Sequence, residues 1–190
     1  MRLVLASASP RRLDLLARIG VVPDAVIPAH VDESVAKDER PREHALRLAG
    51  EKAAAVAAQE PDSLVLAADT VVAVGRRILP KVEDEATLRT CMRLLSGRRH
   101  RVLTGVALAV PGSGIRERLV ETMIAMKRLS DQEIEFYTSH GEWRGKAGGY
   151  ALQGYGEVYV RHIAGSYSNV VGLPLAETRV LLKSAGYPIA

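Results

Sequence analysis

Two serines, a proline and two arginines are packed into Ser7-Ala8-Ser9-Pro10-Arg11-Arg12. The apolar run 3–6 before them reads as a short buried strand, and Leu13, Leu15, Leu16 and Ile19 after them fall at helical spacing. Ser9 fits an N-cap, Pro10 the first helical position and Gly20 the C-terminal stop. Arg11 and Arg12 then lie in the first helical turn, where the macrodipole is positive and each cation costs about 0.3–1 kcal/mol. An anion at that turn reverses the sign: free backbone N–H groups, two hydroxyls and two guanidiniums would converge on it. A solvated basic turn is the alternative.

Carboxylates and ammonium groups recur at a few other places. Residues 64–74 form the most apolar, strand-like stretch of the chain and carry one carboxylate, Asp69. An unpaired buried carboxylate is very costly, so Asp69 must be paired, exposed at a bulge or bound to a metal. The alternative is a structural hydrogen-bond anchor for a neighbouring loop, shared with Thr70. Pro41 opens a helix predicted to about residue 59, on which Ala45, Leu48, Ala49, Lys52 and Val56 share one stripe. Lys52 is either a snorkelling stem or a cation aimed into a cleft. The turn at 75–77 sends the chain back through Ile78 and Leu79, so Lys81 is expected beside Asp69. Ahead of the helix, the acidic loop 30–39 holds Asp32 and Glu33. Seven glycines between 145 and 172 surround Lys146, Tyr150 and Gln153. Such density means close backbone approach or unusual backbone angles.

The elements that must hold these groups follow from pattern. A helix is expected from Asp84 to about Leu95, with Leu88, Met92 and Leu95 inward. Two long strands, 101–110 and 115–129, are joined by the turn Pro111-Gly112-Ser113-Gly114. Ser130-Asp131-Gln132-Glu133 is a capping box opening a further helix, and Pro174 opens the last one. The mixture of strand–helix–strand units with an antiparallel hairpin predicts an α/β fold, a mixed sheet with helices on its faces.

The whole chain narrows the function classes. Its 190 residues suit one domain, and 47% hydrophobic residues argue against disorder. Twenty-six basic and 22 acidic residues are interleaved for a net charge of +4, and aromatics are 4%, so nucleic-acid binding is not expected. The run Arg98-Arg99-His100-Arg101 reads as a solvated loop-to-strand junction. Cys91 is alone and the five histidines are far apart, which excludes a disulfide framework and zinc-type spacing. No apolar run reaches 18 residues and no leader precedes the first strand, so a cytoplasmic setting and no membrane contact are expected.

Cations and N–H donors suit polyphosphate oxygens, and two carboxylates suit a hard divalent ion completed by phosphate. No Gly-x4-Gly-Lys-Ser/Thr loop and no strand-linked Gly-x-Gly-x-x-Gly is present, so P-loop and dinucleotide folds are unsupported. The residues therefore point to metal-assisted phosphoanhydride hydrolysis.

Four segments in order, Ser7–Arg12, Ala68-Asp69-Thr70, Lys146–Gly154 and Val171-Gly172-Leu173-Pro174-Leu175, resemble the signatures of the Maf family of nucleoside triphosphate pyrophosphatases. The resemblance implies an elongated α/β fold with a cleft between two lobes, akin to inosine triphosphate pyrophosphatases. It implies conversion of a nucleoside triphosphate to monophosphate and pyrophosphate with a divalent metal, Mg²⁺ or Mn²⁺. Arg-Arg after Ser-Pro, Ala-Asp-Thr and Gly-Gly-Tyr with Gln153 resemble the dTTP/UTP group, which also takes modified pyrimidines, over the 7-methyl-GTP group. By charge and position Asp69 is general base or metal ligand and Glu33 the second carboxylate on the metal, a role for which Asp32 competes and the resemblance favours Glu33. Arg11, Arg12, Lys52 and Lys81 neutralise phosphate charge, Ser7 and Ser9 donate to it, and Gln153 reads the base or holds the water. The family usually shows Gly-Lys-Pro where this chain has Pro80-Lys81-Val82. A homodimer is a further implication, and a non-enzymatic regulator of septum formation is the rival of another class.

Overall fold

The computed structural model describes residues 1–189. A mixed sheet runs through the molecule. Strands β1 (Leu3–Leu5), β2 (Ala25–Val26), β3 (Leu64–Val74), β4 (Arg77–Leu79), β6 (Arg99–Val110), β7 (Gly114–Met126) and β9 (Val160–Ala164) lie in the order β2-β1-β3-β6-β7-β9, with β4 added on β3. β1 is parallel to β2 and to β3, whereas β3–β6, β6–β7 and β7–β9 are antiparallel. Two short strands, β5 (Lys81–Val82) and β8 (Lys146–Ala147), form a separate ladder. The helices are α1 (Pro10–Arg18), α2 (Pro41–Ala57), α3 (Glu85–Leu95), α4 (Asp131–His140), α5 (Tyr167–Val171) and α6 (Leu175–Ser184), with a 3-10 turn at Tyr155–Tyr159. The mixed α/β sheet with helices on its faces is as the sequence predicts.

β3 passes from one core to another. Its first residues, Leu64, Leu66 and Ala68, are buried with β1, α1 and α6, including Leu3, Leu15, Leu16 and Leu181. Beyond Asp69 and Thr70 it enters a second core, where Val72 is buried in one cluster with Leu88, Met92, Tyr137 and Trp143. Each core buries many large apolar side chains at roughly 1.5–3 kcal/mol apiece. The polar pair Asp69–Thr70 falls where neither core claims the strand, which makes that point the cleft.

α2 lies across the sheet at one close approach. Gly105 is the β6 partner of Asp69, and a Cβ there would stand 2.2 Å from the Ala45 carbonyl oxygen. The missing side chain lets the helix descend onto the strand. Lys52, two turns after Ala45 on the same stripe, is thereby brought to Asp69; both are buried.

One detail differs from the sequence reading. His100 belongs to a run read as solvated, but strand alternation turns it inward and it is buried, while Arg99 is exposed. The glycine-rich wall is tight against protein: Cβ atoms at Gly148 and Gly149 would meet Val72 and the Leu88–Val82 pair within 3 Å, and both residues have positive φ.

Candidate active site

One cavity of about 360 Å³ opens between the two cores. Ser7, Ser9, Arg11, Arg12, Glu33, Lys52, Asp69, Lys81 and Gln153, drawn from six separate segments, all line it. Asp32, the rival of Glu33 in sequence, does not; its carboxylate accepts from the Ser34 N–H and is fully turned to the loop.

The β1–α1 turn is built from the inside. Ser7 Oγ accepts from the Ser9 N–H at 3.2 Å and from Arg12 Nη1 at 2.8 Å. Arg12 Nε donates to the Gly172 carbonyl at 2.9 Å, which ties the turn to the end of α5. Ser9 takes the N-cap place but its hydroxyl makes no capping bond, and Pro10 follows at the first helical position. Arg11 has neither a hydrogen bond nor an ion pair among the described residues. Burial lowers the pKa of both arginines; at Arg12 the Asp69 charge pulls the other way. A cation that is partly desolvated and unpaired is a seat for an anion.

Behind the turn, Lys52 Nζ lies 2.6 Å from Asp69 Oδ1 and 2.6 Å from Glu33 Oε1. Lys81 Nζ pairs with the other Glu33 oxygen. The hairpin therefore brings Lys81 to Glu33 rather than directly onto Asp69, though all three face the same space. Burial pushes the Glu33 carboxyl up, but hydrogen bonds from Lys52 and then Lys81 outweigh it and hold it at about 2. Lys146 also faces the cavity, donating to the Glu142 carbonyl; burial, then the Arg11 charge, lowers its pKa. Five cationic side chains thus stand against two carboxylates, an excess of three positive charges.

The far wall is formed by Tyr150, Leu152 and Gln153. The Tyr150 hydroxyl meets His100 Nε2 at 2.7 Å, inside the second core, and burial holds that imidazole at about 4. Gln153 makes no side-chain hydrogen bond among the described residues, so its amide is available to a ligand.

Residues 2–185 match the family Maf, described as Maf-like protein. The chain belongs to that family. It is 61% identical over 187 residues to a dTTP/UTP pyrophosphatase of Novosphingobium aromaticivorans, covering 98% of this chain and 93% of the relative. It is 62% identical over 185 residues to a dTTP/UTP pyrophosphatase of Caulobacter vibrioides, covering 97% and 96%. Among solved structures, a nucleoside-triphosphatase / dITP/XTP pyrophosphatase of Mycobacterium abscessus aligns with TM-score 0.47 and 15% identity over 98% of this chain and 95% of that one.

All four Maf-like segments border the cavity in this chain. The departure at Pro80-Lys81-Val82 leaves Lys81 on the short β5 strand, held by pairing to Ala147 of β8, so its stem starts from a fixed backbone. Among the described residues no group of three or more His, Cys, Asp and Glu is placed to hold a metal. Glu33 and Asp69 alone offer hard oxygens from either side of one point, now taken by the Lys52 ammonium. That donor set fits a divalent cation that keeps waters and takes ligand phosphate oxygens, and does not fit an all-protein cage.

Sequence reasoning missed four groups that hold the site. Thr70 Oγ1 lies 3.0 Å from Thr104 Oγ1, and Thr104 donates to the Asn169 carbonyl. The Asn169 amide in turn donates to the Val102 carbonyl and Thr122 Oγ1. His100 supports Tyr150 from behind. Polar residues at inward strand positions, His100, Thr104 and Thr122, were the available signal.

Proposed function

We propose that this chain hydrolyses nucleoside triphosphates, dTTP and UTP first, to the monophosphate and pyrophosphate. One observation carries the reading: an excess of three positive charges faces two carboxylates in a single cavity. A triphosphate is the polyanion that such a field attracts, and the two carboxylates are what water attack on it requires. Membership in the Maf family and the names of relatives at 61–62% identity support the pyrimidine substrates and the pyrophosphatase reaction.

The residues divide the work. Arg11, Arg12 and Lys146 bind the phosphate chain, with Ser7 and Ser9 donating to its oxygens. Lys81 leaves Glu33 for phosphate when substrate arrives, since a phosphate offers more negative charge than one carboxylate. Asp69 accepts the proton of a water aimed at the α-phosphorus, as general base. Lys52 holds Asp69 oriented, and the arginines and Lys81 neutralise the charge that develops on departing pyrophosphate. Glu33 and Asp69 would hold a divalent cation, Mg²⁺ or Mn²⁺, which supplies charge neutralisation and water activation when bound. Gln153 faces the nucleoside. The reading takes the chain as one Maf-like catalytic domain, working in the cytoplasm and as a homodimer. No helix among the described residues is long and apolar enough to cross a membrane.

The test is a panel of standard, modified-pyrimidine and 7-methylguanine triphosphates with several divalent metals. dTTP and UTP should release pyrophosphate and no orthophosphate at the highest kcat/KM. Preference for 7-methyl-GTP would move the chain to the other Maf group, and no turnover of any triphosphate would end the proposal.

A further inference from the structure

Gln153 lies on a segment with little regular structure, residues 148–154, yet its position at the cavity wall is fixed from outside the cavity by one carboxylate. Glu142, on the loop after α4, does not line the cavity. Its Oε2 accepts from the Tyr155 N–H at 3.0 Å and its Oε1 from the Gly156 N–H at 2.8 Å. Oε1 also accepts from the Tyr137 hydroxyl at 2.9 Å, and that hydroxyl in turn accepts from the Ala151 N–H at 3.1 Å. Three backbone N–H groups on both sides of Gln153 are therefore held by one Glu–Tyr pair. Burial, then the bond to Glu142, raises the Tyr137 phenol above its ordinary pKa and keeps it a donor.

Two glycines leave the room that the clamp occupies. A Cβ at Gly154, next to Gln153, would stand 2.3 Å from Glu142 Oε2. A Cβ at Gly156 would stand 2.7 Å from the Ala151 carbonyl oxygen and 3.1 Å from the Tyr137 hydroxyl. Both glycines make room for the clamp and not for a turn; neither has positive φ. The Glu142 side chain is 18% exposed, so its bonds to N–H groups compete with little water. Tyr137 is fully buried in the second core, against Tyr159 and near Trp143. The loop's geometry is referred through Tyr137 to that buried core.

We infer that Glu142, acting with Tyr137, is a positioning residue for Gln153, setting the nucleoside end of the cleft without touching the ligand. The inference rests on the proposed triphosphate reading and adds to it the group that orders the wall facing the nucleoside. Rigid support outside the contact layer is what holds a recognition group to the fraction of an ångström that function needs.

The test separates the two ends of the cleft. Inorganic tripolyphosphate carries the phosphate chain and no nucleoside, so it reports only on the cradle around Arg11, Arg12, Lys81 and Lys146, the last held by the Glu142 backbone carbonyl, which Glu142→Ala keeps. Glu142→Ala should lower kcat/KM for dTTP by about 10-fold or more, while inhibition by tripolyphosphate stays within about two-fold of wild type. Tyr137→Phe, which keeps the buried ring, should give the same pattern in weaker form. In a double-mutant cycle, Gln153→Ala should cost far less in the Glu142→Ala background than in wild type, since without the clamp Gln153 is already out of place. Equal weakening of dTTP and tripolyphosphate, losses at 142 and 153 that simply multiply, or an unchanged kcat/KM would each overturn the inference. Wild-type turnover of dTTP, measured alongside, shows whether the parent reading stands: without it both fall, and with it those three outcomes sink only the role of Glu142.

Discussion

Two clusters of ion pairs share helix α2 and the loop before it, and they are built to opposite ends. Near the helix start, Glu39 is almost buried and saturated: both oxygens accept from Arg47, at 2.6 and 3.0 Å, and Oε2 also meets His44 Nδ1 and the Ala36 N–H. Arg47 spends its remaining donors on Glu51 and the Ser34 carbonyl. Nothing there is left for a ligand. One and a half turns on, Lys52 joins Asp69 and Glu33, and the surrounding cavity carries three positive charges beyond what its carboxylates can match. The difference teaches that charge pairing alone does not mark a site. A saturated cluster fixes a loop; an unbalanced one facing a cavity is waiting for a counter-charge.

The comparison can be broken most forcefully at Lys52. Lys52→Met leaves Asp69 buried beside Glu33 with no cation between them. Breaking such a pair costs about 3–5 kcal/mol, and removing a group that organises charge at the reacting atoms should cost about 10²–10³ in kcat. Urea unfolding and steady-state kinetics on the same preparation measure both. At the outer cluster, Glu39→Gln should cost about 1–3 kcal/mol by urea unfolding, with a loss in turnover far smaller than that of Lys52→Met. Similar kinetic losses in the two variants would erase the distinction.

The contact that delivers Lys52 can be loosened without touching a charge. Gly105→Ala forces the Ala45 carbonyl away from the sheet. It should cost about 1–3 kcal/mol as an overpacked site, and the shift of α2 should lower kcat by about 10-fold or more as Lys52 moves relative to Asp69. An unaltered kcat would mean that the helix position is not what aligns the pair.

The pH dependence of stability sharpens the comparison further. Glu39 is held at about 2, mainly by Arg47, against an ordinary value of 4.5, and Glu33 is likewise at about 2. A depressed carboxyl stabilises the fold fully above 4.5, and that contribution is lost as pH falls from 4.5 toward 2. Glu39→Gln and Glu33→Gln should each flatten part of the slope of unfolding free energy in that window, measured by urea titrations at stepped pH. The smallest effect is ionic strength. Added salt should raise the KM for dTTP, because the unbalanced cleft acts through its field, and should move the melting temperature of the Glu39 cluster variants and wild type in parallel.

Much of this was legible in the sequence because each site residue stood out from a regular background. Asp69 interrupts an apolar strand, Lys52 an apolar helical stripe, and Arg11–Arg12 the positive end of a helix. The long hairpin, the α4 capping box and the α3 helix announced themselves through turn and cap residues, with bounds off by a few positions. The rest depended on tertiary contact. His100 looked like part of a basic run because only the pleat of β6 decides which of four consecutive polar residues turns inward. The ladder of β5 with β8, two residues each, has too little pattern to detect. Nothing in the sequence pattern marks Glu142, since two of its partners are backbone N–H groups and the third is a tyrosine buried in the core. The glycines at 148 and 149 were correctly read as close approach, but the object approached is Val72, Val82 and Leu88, not a ligand.

The central claim is that water attacks the α-phosphorus with Asp69 as its base. Hydrolysis of dTTP in ¹⁸O-labelled water, followed by mass analysis of both products, tests it directly. The account predicts the label in dTMP and none in pyrophosphate for the wild type. For Asp69→Asn, with its fold verified by circular dichroism, it predicts a rate lower by about 10²–10⁴. Label in the pyrophosphate, or an Asp69→Asn variant as fast as the wild type, would contradict it.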